Sequence, residues 1–318
     1  MKFLALSLSI FFSIGASFAQ PYPSKPVRIV LPFGPGGVAD ITTRTLAPKL
    51  SDGLGQPVIV ENLPGAGGIR AAEVVARAEP DGHTLLLLTN GNAVSQALFH
   101  SLPYDPLNDF AMISTVGFFS LAIVTGANSP AKTLREAIAL AKANPGKFNI
   151  GTITPGGTQH LAGELFRSSA GIDALVVPHK TTGEVIIAVR NGNVDLGVDF
   201  IAPLISSIRS GALRALAVST AKRYPGLPEV PTAIESGVAD YDVSSWNALA
   251  APAKTPRSVI ERVHDELAKA LAAPEVQKRL AELGVEGRAS TPGELREFFI
   301  SESRRWSKVV EAAKIPKQ

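Results

Sequence analysis

The chain has 318 residues, enough for two typical domains, and contains no cysteine. Disulfide staples, thiol catalysis and a cysteine lipid anchor are therefore excluded. The formal net charge of +3 falls to +2 without Lys2, too weak a balance for a nucleic-acid or anionic-membrane partner.

Residues 1–19 read as a secretory signal. Lys2 is the positive start, residues 4–14 are largely apolar, and Ser17-Phe18-Ala19 offers small residues to signal peptidase. The apolar run is too short to span a bilayer, which takes about 20 residues. Cleavage before Gln20 removes 19 of the 318 residues and leaves 299, placed in the periplasm.

Val27-Arg28-Ile29-Val30-Leu31-Pro32-Phe33 predicts a strand, Gly34-Pro35-Gly36-Gly37 a tight turn, and a helix follows from about Asp40. Residues 58–60 predict a β-branched strand, and residues 71–78 a helix closed by Pro80-Asp81-Gly82. Residues 84–88 are almost wholly apolar, which predicts a strand buried on both faces. Residues 134–143 predict a helix stopped by Asn144-Pro145-Gly146. Phe148-Asn149-Ile150 is a strand, followed by a turn from Gly151 to Gly157 and a helix from about Thr158. Short strands at 175–177, 194–198 and 215–218 come next, then helices at 259–271, 274–283 and 295–313. This alternation predicts an α/β fold with βαβ units and mainly parallel sheets. No low-complexity linker is present, so two lobes joined by short crossings near 125–130 and 241–246 are expected. One lobe takes 20–125 plus 247–318, the other 126–246.

The two glycine turns are the chemical signal. Glycine lets a backbone approach a ligand closely. The first helical N–H groups lack intrahelical partners, and the helix dipole favours negative charge beside them. Both turns fall at the carboxyl ends of strands, where α/β sheets bind ligands. Two lobes gripping one anion are expected, with Asp40 as an N-cap; a purely structural turn is the alternative. The first turn lacks the Gly-Lys-Ser/Thr ending of a nucleotide loop and the spacing of a dinucleotide loop. Gly65-Ala66-Gly67-Gly68 reads as a structural turn. His160 and Glu164 share a helix face as metal ligands can, but no third ligand is evident. The blander reading is a histidine bonded to backbone at a helix start. No Gly-x-Ser-x-Gly motif is present.

Several strings are similar to the Bug-type periplasmic solute-binding proteins, receptors of the tripartite tricarboxylate transporter family. They are Tyr22-Pro23-Ser24-Lys25-Pro26-Val27 with Pro32 to Gly37 and Asp40, Gly55 to Asn62 with Pro64 to Gly68, and Ala78 to Thr84. Gly156 to Phe166, Gly211 to Val218 and Pro228 to Thr232 continue the likeness over nearly the whole mature chain. The resemblance implies a two-lobed, type II Venus-flytrap fold. It also implies that turns matching Phe33 to Gly37 and Thr152 to Thr158 act as pincers on a ligand carboxylate. The chain departs from the family at His179-Lys180-Thr181-Thr182, where Tyr-Lys-Gly is usual, and at Phe200 and Asn247.

The expected protein is an exported receptor for a small organic carboxylate, serving a membrane permease or a sensor, monomeric, with no cofactor and no metal. Phe33, Gly34, Pro35, Gly36, Gly37 and Asp40 form one pincer. Thr154, Pro155, Gly156, Gly157 and Thr158 form the other. Thr89, Asn90 and Asn92 supply neutral hydrogen bonds, and His179, Thr181, Asp199 and Trp246 line the distal pocket. The alternative is an exported α/β enzyme acting on a carboxylated or phosphorylated substrate.

Overall fold

The computed structural model describes residues 22–153 and 155–318. The expected signal segment, residues 1–19, lies outside them, as does Thr154.

The first half alternates strand and helix: β1 (Val27–Leu31), α1 (Val38–Leu54), β2 (Val58–Asn62), α2 (Ile69–Ala76), β3 (Thr84–Thr89) and α3 (Asn90–Leu98). A 3₁₀ turn, Ala66–Gly68, precedes α2. A long strand follows, β4 (Phe110–Gly126). The second half runs α4 (Leu134–Ala143), β5 (Phe148–Ile153), α5 (Thr158–Ser169), β6 (Ala174–His179), α6 (Thr182–Arg190), β7 (Leu196–Phe200), α7 (Ile201–Arg209) and β8 (Leu213–Val218). The chain then returns through β9 (Ser244–Pro252), α8 (Arg257–Ala272), α9 (Pro274–Glu282), β10 (Val285–Gly287) and α10 (Pro292–Ala312).

The strands are ordered β2-β1-β3-β9-β4-β7-β5-β6, with β10 and β8 also on β4. β4 belongs to two sheets. Phe110 to Ser120 pair with β9, and Leu121 to Gly126 pair with β7 and β8. The sheets are mixed rather than mainly parallel. β1 is parallel to β2 and β3, and β5 is parallel to β6 and β7. β4 and β9 run against their neighbours. Parallel pairing needs a crossover helix between strands, whereas β4 and β9 arrive from long connections and enter in the opposite direction.

Leu85, Leu86, Leu87 and Leu88 of β3 are fully buried, as an all-apolar central strand requires. α1, α8 and α9 pack one face of the first sheet around Leu31, Leu46 and Leu267. On the other face Val75, Leu88 and Ala248 meet Leu295 and Phe299 of α10. Further along α10, Trp306, Val309 and Val310 join the second core beside Leu161 and Phe166. One helix therefore packs on both halves.

Candidate functional site

The two glycine turns match at the glycine pair that ends each of them. Gly36 has φ +84° and Gly156 φ +75°, the left-handed region that glycine enters without penalty. Gly37 (φ −75°, ψ 166°) and Gly157 (φ −72°, ψ 165°) are then the extended residues that open α1 and α5. Asp40 is thus not the N-cap. It sits at the third helical position and reaches back, its Oδ2 accepting from Gly36 N–H at 2.9 Å. His160 occupies the same place in the second turn, where its Nδ1 accepts from Gly156 N–H at 3.2 Å. These two side chains hold the glycine N–H groups behind the turns. The N–H groups of Val38 and Ala39, and of Thr158 and Gln159, remain without intrahelical acceptors.

The holding side chains differ in charge. Burial alone would raise the Asp40 carboxyl, but hydrogen bonds from Gly36, Arg44 and Asn62, with the Arg44 charge, bring it below its ordinary value. Burial lowers the His160 imidazole, against the pull of Glu164. A protonated imidazole has no lone pair for Gly156 N–H. A histidine depressed on folding contributes stability that is present above its unfolded pKa, about 6.5, and lost as pH falls through the lower folded value. The melting temperature should therefore drop on acidification below about pH 6.5. It should drop less in His160→Gln, whose amide oxygen accepts the same N–H at any pH. Equal slopes in a pH series of thermal melts would remove this role.

Both turns face one cavity of about 780 Å³. Its polar lining is Thr89, Asn90, Ser120, Thr158, Gln159, Thr182, Ser245, Asn247 and Gln318, and its apolar walls include Phe33, Phe99, Phe119 and Phe200. Among the described residues that line it there is no aspartate, glutamate, lysine, arginine or histidine. An anion in this cleft meets backbone N–H groups and neutral side chains, not a cation.

Residues 42–315 match the family described as "Tripartite tricarboxylate transporter family receptor". The chain belongs to this receptor family. Among solved structures it is similar to the periplasmic binding protein BugD, with TM-score 0.77 and 32% identity over 93% of this chain and all of that one. It is also similar to Rpa4515 of R. palustris, solved with adipate (TM-score 0.80, 30% identity, 93% of this chain and 100% of that one). A third is MatC from Rhodopseudomonas palustris with bound malate (TM-score 0.76, 30% identity, 91% and 100%).

In this family member Phe33, Gly34, Pro35, Gly37, Thr89, Asn90, Pro155, Gly156, Gly157 and Thr158 line the cleft. Asn92 stands behind them, fully buried, its Oδ1 accepting from Thr89 N–H at 2.9 Å and Thr89 Oγ1 at 3.0 Å. Asp199 is also fully buried. Its carboxyl accepts from Gln159 Nε2, Thr182 Oγ1 and Phe200 N–H, and burial pushes its pKa up against those bonds. Asp199 therefore orients Gln159 and Thr182, and these two reach the cavity.

Three expected positions fall elsewhere. His179 lies outside the cavity lining, with Nδ1 3.1 Å from the Val177 carbonyl. Thr181 caps α6 through Glu184 N–H, and the lining residue is its neighbour Thr182. Trp246 is fully buried on the opposite face of β9, where its Nε1 donates to Glu302. Strand side chains alternate, so Ser245 and Asn247 face the cleft in its place. Gly65, Gly67 and Gly68, read as a structural turn, also line it. The His160–Glu164 pair resolves as the helix-start reading, with the imidazole on backbone. Among the described residues no group of three histidine, aspartate or glutamate side chains could hold a metal.

Proposed function

We propose that this protein is an extracytoplasmic receptor that captures a small carboxylate between its two glycine turns. It acts in the periplasm after removal of residues 1–19 and passes its ligand to a membrane permease or a sensor. One observation carries the reading: two turns with matching glycine pairs open onto one cavity, and among the described residues no charged side chain lines it. Helix N-termini favour anions, and exclusion of water on closure strengthens each bond. The carboxylates bound by Rpa4515 and MatC support the ligand class. The expected division, 20–125 plus 247–318 against 126–246, remains our reading of the lobes. The change of partners in β4 after Ser120 and the start of β9 at Ser244 support it to within a few residues.

A thermal-shift screen of small carboxylic acids against their methyl esters tests the reading. The acids should raise the melting temperature, because a ligand that binds only the native state stabilises it. The esters, which lack the charge, should not. Equal shifts for acids and esters, or turnover of the ligand, would contradict a carboxylate receptor.

A further inference from the structure

The first core surfaces in the floor of the cleft. Phe119, Phe200, Ala202, Leu283 and Gly284 line the cavity, and none of them carries a polar side-chain atom. The fold brings them together from distant parts of the chain. Phe119 of β4 pairs with Val285 of β10, so Leu283 and Gly284 arrive beside it. The Phe119 and Phe200 rings lie 6.1 Å apart. A Cβ on Gly284 would come within 3.1 Å of the Ala202 methyl, so the turn between α9 and β10 touches the start of α7.

This floor continues into the first glycine turn. Val38 and Ala39, the residues that open α1, pack on the same apolar cluster as Phe119, Phe200 and Leu283. Val38, Phe200 and Leu283 are only partly buried there and line the cavity, so the cluster has apolar surface open to the cleft. A carboxylate held on the α1 N–H groups therefore adjoins this floor. An apolar body laid over it gains from the removal of water, about fourfold in affinity for each buried methylene.

The far end of the floor is unfavourable for a second anion. α7 begins there, and a helix start favours negative charge. That position is already taken. The Asp199 carboxyl accepts from Phe200 N–H at 2.7 Å, next to the first residue of α7, and is bonded to Gln159 and Thr182 behind the wall. A ligand carboxylate set over Phe200 would face this carboxyl rather than a cation, and would give up its own hydration to apolar surface. An ammonium would give up its hydration on the same floor. Asp199 cannot receive it, because the residue is fully buried and both of its oxygens are bonded within the protein.

Building on the carboxylate-receptor reading, we infer that Phe119, Phe200 and Leu283 form an apolar subsite beside the start of α1, and that the ligand is a monocarboxylate with an uncharged hydrocarbon body. Calorimetry on the purified exported protein tests this with a matched series. Hexanoate ends in a methyl group, adipate in a second carboxylate and ε-aminocaproate in an ammonium, while acetate lacks the body. Hexanoate should bind on the order of a hundredfold tighter than acetate, and on the order of tenfold tighter than adipate or ε-aminocaproate. In Phe200→Ala the advantage of hexanoate over acetate should shrink by about tenfold. Leu283→Asn, at the partly buried end of α9, makes the same test without touching a residue shared by both cores. Adipate or ε-aminocaproate binding as tightly as hexanoate would overturn the uncharged body, and an equal affinity for acetate would overturn the subsite. So would an unchanged hexanoate affinity in both variants, or no binding of hexanoate where another acid of the wider screen binds. Each of these results leaves the carboxylate receptor standing. If no acid in this series or in the wider screen binds, the receptor reading itself fails, and the subsite with it.

Discussion

Gly36→Val and Gly156→Val should each lower carboxylate affinity by about a hundredfold, the loss expected when two hydrogen bonds to a charged group disappear. The cause is the backbone. Both glycines have φ near +80°, a region where an L-residue is strained by about 1–2 kcal/mol and a β-branched one is a genuine outlier. A valine would pull either turn out of that region and rotate the helix-opening N–H groups away from the cleft. At Gly156 an added Cβ would also come within 2.9 Å of Leu98 Cδ1, while at Gly36 nothing lies within 4 Å. Gly36 therefore tests conformation alone. In the second turn Gly156, not its neighbour Gly157, is the sensitive position, because the Gly157 φ of −72° is ordinary. Gly211→Val is the control. Gly211 has φ +75° and open space around it, in a turn outside the cavity lining, so its variant should lose stability and keep affinity. Calorimetry and thermal melts on the three variants separate these effects. Full affinity in both turn variants would remove the clamp.

Trp246→Phe should cost about 2 kcal/mol of stability and change carboxylate affinity by less than about twofold. The Trp246 and Trp306 indoles both donate to Glu302 Oε2, at 3.2 and 3.0 Å. Arg305 pairs with the other carboxylate oxygen. Phenylalanine keeps the edge contacts with Phe298 and Phe299 but loses the bond to a buried charge. Because α10 packs on both cores, the cost should appear as a lower midpoint of a single unfolding transition. A large loss of affinity without loss of stability would return Trp246 to the ligand.

Local signals in the sequence were enough where the physics is local. The helix at residues 134–143 has the bounds read from its pattern and its Asn-Pro-Gly stop, and α5 starts at Thr158 as read. Both turns were legible because a strand, a glycine pair and a helix start lie within a dozen residues. β4 was not. Its apolar run is broken by Ser114, Thr115, Gly117 and Ser120, and its principal partner, β9, lies more than a hundred residues away. α3 opens on Asn90-Gly91-Asn92, a turn signature, and is held as a helix by the reciprocal Thr89–Asn92 cap. The far wall of the site needed a register that no motif carries. Thr182 rather than Thr181, and Ser245 rather than Trp246, follow from which face of an element meets the cleft. The Asp199 carboxyl was read as a ligand contact, whereas burial turns it into the support for Gln159 and Thr182.

A crystal structure of the protein with a bound carboxylate tests the clamp most directly. The carboxylate oxygens should lie within about 3 Å of N–H groups at the start of α1, at Val38 and Ala39, and of α5, at Thr158 and Gln159, directly or through one water. No lysine or arginine side chain should touch them. A carboxylate seated on a cationic side chain, or outside the cleft between the two turns, would contradict the dipole clamp.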